Sequence, residues 1–320
     1  MNNLKKIGLS ALAGSLVATS AFAGEMSVSG GASINVEHTN GGAADTGKTF
    51  SMGNQLTFSG SGELDNGLNV ALSFVLDQND DSTTAGAAYS GGPFDSHSVT
   101  ISSDSLGSLK FAGEGGSSAV SALDTTAGGD IWDSFDDAGA IKPTGVGGGD
   151  NSMMYTLPSM VDGLSISAGY TPAGTGTDSA TSYSATYSGV EGLSVSYGVG
   201  EDTTVGNAGE GTALKASYAY GPVTVGYSSY EFDTTGTASD DDTTGYSVSY
   251  TVSDELSVTY ASEEVTRPGK QDAEFSSISA AYTTGGMTIS AAMQDAENID
   301  GTTTATEDRE RWALGLSFAF

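Results

Sequence analysis

The last ten residues, Arg311 to Phe320, alternate without a break. Trp312, Leu314, Leu316, Phe318 and Phe320 form one row at period two, and Arg311, Ala313, Gly315, Ser317 and Ala319 form the other. Period two with one bulky apolar face and one small or polar face predicts a β-strand. Two solutions fit such a strand. In a soluble sandwich the Leu and Phe side chains point into a core. In a barrel in lipid they point outward, and the small face lines a lumen. The strand also closes the sequence on an aromatic residue.

The same alternation runs through the rest of the chain. Val28, Gly30, Ala32, Ile34 and Val36 alternate with Ser27, Ser29, Gly31, Ser33 and Asn35, and Leu68, Val70, Leu72, Phe74 and Leu76 share one face. Seven short turns punctuate the pattern: Asp65-Asn66-Gly67, Asp104–Gly107, Asp162-Gly163, Glu191-Gly192, Gly221-Pro222, Asp254-Glu255 and Gly285-Gly286. Gly and Asp supply the backbone angles of two- to four-residue hairpins. Seven turns make eight segments, each a strand, a long Gly/Thr/Asp loop and a returning strand. The expected count is sixteen strands, with the second near 51–64 and the fourth near 97–103. Short turns on one side and long loops on the other are the organisation of a transmembrane barrel, and a sandwich has no reason to sort its loops. Tyr187, Tyr220, Tyr250, Tyr282, Phe318 and Phe320 fall at the short-turn ends of their strands, and Tyr170, Tyr197, Tyr230 and Tyr260 nearer the loop ends. Two such bands are the expected interfacial girdles.

Residues 1–23 read as a secretory signal peptide: Lys5 and Lys6, an apolar run from Ile7 to about Ala18, and Ala21-Phe22-Ala23 as cleavage site. A membrane-spanning helix needs about 20 apolar residues, more than this run provides. The expected barrel domain is 24–320. Without Lys5 and Lys6 the chain keeps 8 basic against 40 acidic residues, a formal charge of −32. That balance argues against nucleic acid as a partner. There is no Cys, so neither disulfides nor thiolate metal sites. The 46 Gly would fill a soluble core poorly but suit the inner wall of a wide barrel, and the alternation argues against a disordered acidic chain.

One segment, 115–150, is longer than the other loops. It holds Asp124, Asp130, Asp133, Asp136, Asp137 and Asp150 against a lone Lys142. Ile131, Trp132, Phe135 and Ala138 recur at three- and four-residue spacing, which predicts a short helix. A loop so apolar is expected to fold into the barrel and pack Trp132 and Phe135 on the wall, the alternative being an ordinary external loop that covers its neighbours.

This combination resembles a trimeric general porin of Gram-negative outer membranes, most similar to the alphaproteobacterial kind. The resemblance covers the chain after the signal peptide and rests on pattern rather than on a tight motif. It implies an all-β, sixteen-stranded antiparallel transmembrane barrel with an inward-folded third loop, acting as a passive channel for small hydrophilic solutes and ions. It further implies a homotrimer among outer-membrane lipid and lipopolysaccharide, and a Phe320 read by the barrel-assembly machinery. By position, Asp124, Asp130, Asp133, Asp136 and Asp137 are the constriction acids. Family members face these acids with arginines on the early strands; here those strands carry inward Glu37, Glu63 and Asp77. Lys110, Lys215, Arg309 and Arg311 are the cations at inward positions, so the constriction is expected to be negative and to favour cations.

Other chemistry has thinner support. His38 and His97 both lie at loop ends, and a barrel protease or lipase built on one of them would use fewer strands. A secreted adhesin or solenoid would show a short fixed repeat, and there is none. Asp80 and Asp81, with Asp240, Asp241 and Asp242, are candidate Ca²⁺ ligands or solvated loop faces. No cofactor is required.

Overall fold

The computed structural model describes residues 26–41, 47–77, 95–135, 146–172, 179–203, 208–234, 240–302 and 307–320. The expected signal peptide lies outside these residues. The first strands are β1 (Met26–Asn40), β2 (Gly47–Glu63), β3 (Asn69–Asp77), β4 (Ser96–Ser103), β5 (Gly107–Glu114) and β6 (Ser152–Thr156). They are followed by β7 (Leu164–Pro172), β8 (Ser179–Tyr187), β9 (Leu193–Asp202), β10 (Gly209–Tyr220) and β11 (Val223–Thr234). The last are β12 (Asp241–Thr251), β13 (Leu256–Thr266), β14 (Ala273–Thr284), β15 (Met287–Glu297) and β16 (Arg309–Ala319). Each pairs antiparallel with its sequence neighbours, and β1 pairs with β16 to close the ring. The closing seam runs from Gly31↔Ala319 to Asn40↔Glu310. Beyond it, Gly30 N donates to Phe320 O at 2.7 Å and Phe320 N to Gly30 O at 3.0 Å, so the terminal residue is part of the ladder.

All seven short turns fall where the sequence puts them. Turn geometry explains their glycines best at Gly107, where φ is 80° and a Cβ would lie 2.2 Å from the Thr156 carbonyl oxygen. Only a residue without a side chain fits there. Near 131–138 the expected helix is instead a 3₁₀ turn, Ile131–Phe135. It buries Ile131 and Phe135 on one side, and Ala138 of the expected helix lies outside the described residues.

The pairing register assigns every strand residue a side. Ile34, Leu316 and Ile289 stand side by side across three strands on the outer face, with Val36, Leu314 and Ala291 in the next outward row. Met293 is 70% exposed and Leu314 53%. An outside this apolar is the reverse of a soluble protein and the expected form of a barrel in lipid. His38 tilts against Trp312, ring centres 6.2 Å apart, and both sit on the outer face. Tyr230 corrects the sequence reading: it faces inward, with Ala213 opposite it across the β10–β11 pair, and belongs to no outer girdle.

The outer face changes character at the loop ends of β9 to β16. There the register sets carboxylates directly opposite one another: Glu201–Glu210, Glu210–Asp233, Glu231–Asp242, Glu264–Glu274, Glu274–Glu297 and Asp295–Glu310. Like charges so placed cost roughly 0.2–1 kcal/mol per pair, and none belongs in hydrocarbon. This acidic rim marks the upper edge of the apolar belt. Among the described residues of β1 to β8, no two carboxylates are opposed.

The register yields a direct check. Leu316→Arg puts a charge on the lipid face beside Ile34 and Ile289, at an expected cost of about 2–4 kcal/mol near the midplane. Ser317→Arg, beside Ser33 and Thr288 on the inner face, is expected to leave stability within about 1 kcal/mol, because the guanidinium stays in water. Denaturant unfolding of refolded barrels in lipid vesicles measures both. Equal losses would mean a strand buried on two faces.

Candidate functional site: a loop sewn to the inner wall

The described parts of the 115–150 segment, 115–135 and 146–150, fold into the lumen, as their apolar residues require. Its outgoing and returning limbs pair at the base, Gly116 with Gly149, by reciprocal backbone bonds of 3.2 and 2.8 Å. Ser118 Oγ ties the limbs again by donating to the Val146 carbonyl at 2.8 Å. From there the loop crosses the wall from β8 towards β15, fastened at each step. The Ala119 amide donates to Ser182 Oγ on β8 at 2.8 Å, and the Ala127 amide to Ser228 Oγ on β11 at 2.8 Å. Val120 and Leu123 pack on Ala213 and Tyr230. The Tyr230 hydroxyl reaches the carbonyls of Leu123, at 3.0 Å, and Thr125, at 2.7 Å. Lys215 of β10 donates to that same Thr125 carbonyl at 2.6 Å.

Glu263 of β13 holds the middle of the loop. It is buried, 3% exposed. It accepts from Thr126 Oγ1 through one carboxylate oxygen and from the Trp132 amide, at 3.1 Å, through the other. Both oxygens are therefore used, as a buried carboxylate demands. Gly128 lies so close that a Cβ there would sit 2.5 Å from Glu263 Oε1. Within the loop, Asp130 takes a left-handed φ of 58° and accepts the Thr126 amide at 2.8 Å. Beyond it, Ile131 and Phe135 enter an apolar patch of Ala261, Val265, Phe275 and Ile299, with Trp132 against its edge. Phe135 and Phe275 have ring centres 6.0 Å apart.

The candidate acids do not share one environment. Asp124 and Asp130 lie together between loop and wall, bordering a cavity of about 180 Å³. Burial pushes the Asp124 carboxyl up to about 6; the neighbouring Asp130 charge adds to this, and its own backbone and Lys215 oppose it. Asp133 is exposed to the lumen. Asp136 and Asp137 lie outside the described residues.

The candidate cations do not form one basic face. Lys110 is on β5, Lys215 on β10, and Arg309 and Arg311 on β16. Arg311 pairs with Glu37 across the closing seam and also donates to Gln294. Arg309 is buried, 8% exposed. Lys215 is spent on a loop carbonyl. Arg267, past the end of β13, binds Asp241 through both Nε and Nη2, the latter at 2.9 Å.

This pairing also divides the candidate Ca²⁺ run. Asp241 faces inward to Arg267, Asp240 accepts the Thr234 amide at 2.9 Å and its hydroxyl, and Asp242 faces outward in the acidic rim. Among the described residues no three His, Asp or Glu side chains converge on a point that a metal would occupy. Asp80 and Asp81 lie outside those residues. His38 and His97 both stand at outward positions, away from the aqueous lumen.

Sequence reasoning missed the wall side of this seam: Ser182, Ser228, Tyr230 and Glu263. A signal existed. Tyr230, Phe232, Val265 and Phe275 put bulky groups on the face that is elsewhere small or polar, and apolar residues inside an aqueous lumen imply a cover.

Comparison with known proteins agrees with this architecture. The sequence model described as "Gram-negative porin" matches residues 8–320. No curated protein matches the sequence at a significant level. Among solved structures, an anion-selective porin from Comamonas acidovorans superposes with a TM-score of 0.69 at 17% identity, over 92% of this chain and 99% of the other. A triple mutant of the Rhodopseudomonas blastica porin gives 0.68 at 15%, over 92% and 100%. Those identities carry the fold alone, whereas the family match spans nearly the whole sequence: the chain belongs to the Gram-negative porin family, a channel-forming barrel of the outer membrane.

Proposed function

We propose that this porin is a passive, water-filled channel for small hydrophilic solutes that prefers cations. One observation carries the sign. Lys215, Arg267 and Arg311 are each bound to a protein acceptor or carboxylate, while Asp133 stands exposed in the lumen on the loop that narrows it. With Arg267 and Arg311 paired to carboxylates, the exposed acid on the loop meets solutes, much as acidic rings do in other cation pathways. The barrel shared with the anion-selective Comamonas porin has no sign of its own; side chains supply it.

Export through the 1–23 signal peptide, recognition of Phe320 by the assembly machinery and a homotrimeric state complete the reading. Among the described residues, the outer face of β1 to β8 lacks the opposed carboxylates of the acidic rim, and burying it against a neighbouring copy desolvates no like-charged pair, which supports the trimer. A channel is favoured over a barrel hydrolase because both histidines point away from the lumen water.

The zero-current potential across a KCl gradient tests the sign. At 4 Å in water one charge is worth about 1 kcal/mol, roughly a five-fold local enrichment of K⁺, and screening reduces this over about 8 Å. Asp133→Asn with Asp136→Asn and Asp137→Asn is therefore expected to cut the K⁺/Cl⁻ preference several-fold. A wild-type preference for Cl⁻, or a potential that ignores the triple change, overturns the reading. The same recordings report the assembly, since a trimer closes in three equal steps.

Pore width has its own test at Glu263. Glu263→Ala leaves Thr126 and Trp132 unpaired in the seam, at about 1–3 kcal/mol for the lost acceptors. The expected result is a larger or flickering single-channel current, with the barrel's unfolding midpoint little changed, because the β13 ladder is made by backbone. Glu263→Gln keeps one acceptor oxygen and is expected to fall between.

A further inference from the structure

The cavity between loop and wall has a chemistry that passive diffusion does not call for. Its walls include Trp132, Tyr230, Phe232 and Val146; Asp124 and Asp130 border it from the loop, and Glu231, at an outward position of β11, also lies along it. At about 180 Å³ it has room for about six water-sized groups. Aromatic faces with adjacent carboxylates are the surroundings that a desolvated organic cation seeks: π-faces attract the charge, and carboxylates neutralise it. Lys215, the base nearest these acids, is turned to the Thr125 carbonyl at 2.6 Å. Lys215 still acts on Asp124 from there, but with both acids ionised the two carboxylates outnumber that one ammonium. A second observation points the same way. Among the described residues Trp132 Nε1 has no acceptor, so the indole that borders the cavity is not tied to the wall by its nitrogen.

We propose that the crevice between the inward loop and the β10–β11 wall binds a small organic ammonium ion, of about the size of choline. The cation lies against the Trp132, Tyr230 and Phe232 rings with Asp124 and Asp130 as counter-charges. The site rests on the channel reading only for its access from the lumen. It differs from the general cation preference in needing aromatic walls as well as charge.

The pH dependence follows from the groups around Asp124. These are Asp130 on the loop itself, Lys215 on β10, Tyr230 on β11 and Glu263 on β13. Burial and Asp130 hold Asp124 near 6. Below that value its carboxyl is neutral and the attraction for a cation falls; above it the carboxylate is present. Binding is therefore expected to strengthen from pH 5 to pH 7.5.

Choline and its uncharged isostere 3,3-dimethylbutan-1-ol are the probes, used on the full barrel in detergent and in planar bilayers. With Trp312→Phe, Trp132 is the sole tryptophan, and its fluorescence reports occupancy independently of conduction. The expected result is a saturable change with choline, at least about three-fold weaker at pH 5 than at pH 7.5, with interruptions of the K⁺ current over the same concentrations. Asp124→Asn with Asp130→Asn keeps the side-chain acceptor for the Thr126 amide, and is expected to abolish both signals and the pH dependence. Trp132→Leu keeps an apolar side chain at the seam and is expected to weaken the current block several-fold. A fluorescence response shared by the neutral isostere, a linear response without saturation, or choline binding untouched by the double change overturns the site. A pore that selects Cl⁻ yet binds choline saturably at Trp132 would refute the selectivity reading and leave this site standing.

Discussion

A backbone N–H or C=O without a partner in hydrocarbon costs several kcal/mol, so a sheet in lipid has to close on itself. Sixteen strands meet that demand here, and the last bonds are those between Gly30 and Phe320. Much else follows from the ring. Closure fixes the register, and the register fixes which side chains meet lipid and which meet water. Short turns are then forced onto one rim, where glycines such as Gly107 let neighbouring backbones approach. The opposite strand ends form the other rim, and the segment between β5 and β6 is long and apolar enough to return inside.

That inward loop reads as a folding problem solved by side chains on the wall. A polar lumen offers no apolar shelter for Ile131 and Phe135, so the strands behind them abandon the inside-polar rule at Val265 and Phe275. A buried carboxylate at Glu263 then satisfies the donors that the loop turns inward. The positive side chains serve as fasteners as well: Lys215 for the loop, Arg311 for the barrel seam, Arg267 for the rim. Electrostatic character in the lumen is what remains after structure has taken its share.

The strand count, the seven turns and the inward course of the loop were legible in the sequence because period-two alternation and turn residues are local signals. Strand edges moved by a few residues, as with β2 at its start, since pairing with the neighbour rather than propensity decides where a ladder stops. Tyr230 was misplaced for a related reason: its height along the strand is readable from spacing, but its side of the sheet depends on a register counted across β10. Which acids would come together was hidden altogether. Asp124 and Asp130 meet through a left-handed turn, and Glu263, 133 residues beyond Asp130, joins them only in the closed barrel. No single-strand pattern encodes that meeting.

The acidic rim on β9 to β16 has a mechanical meaning. Two residues along a tilted strand amount to about 5 Å of height. Sinking by that much would carry Glu210, Glu264 and Glu274 towards hydrocarbon together, and rising would lift apolar side chains into water. Half the circumference thus has a waterline. Among the described residues the other half, β1 to β8, lacks the opposed acids and tolerates a softer boundary. A barrel so ballasted resists tipping in one direction more than in the other, and the leaflet around it, rather than the protein, has to change thickness when the two disagree.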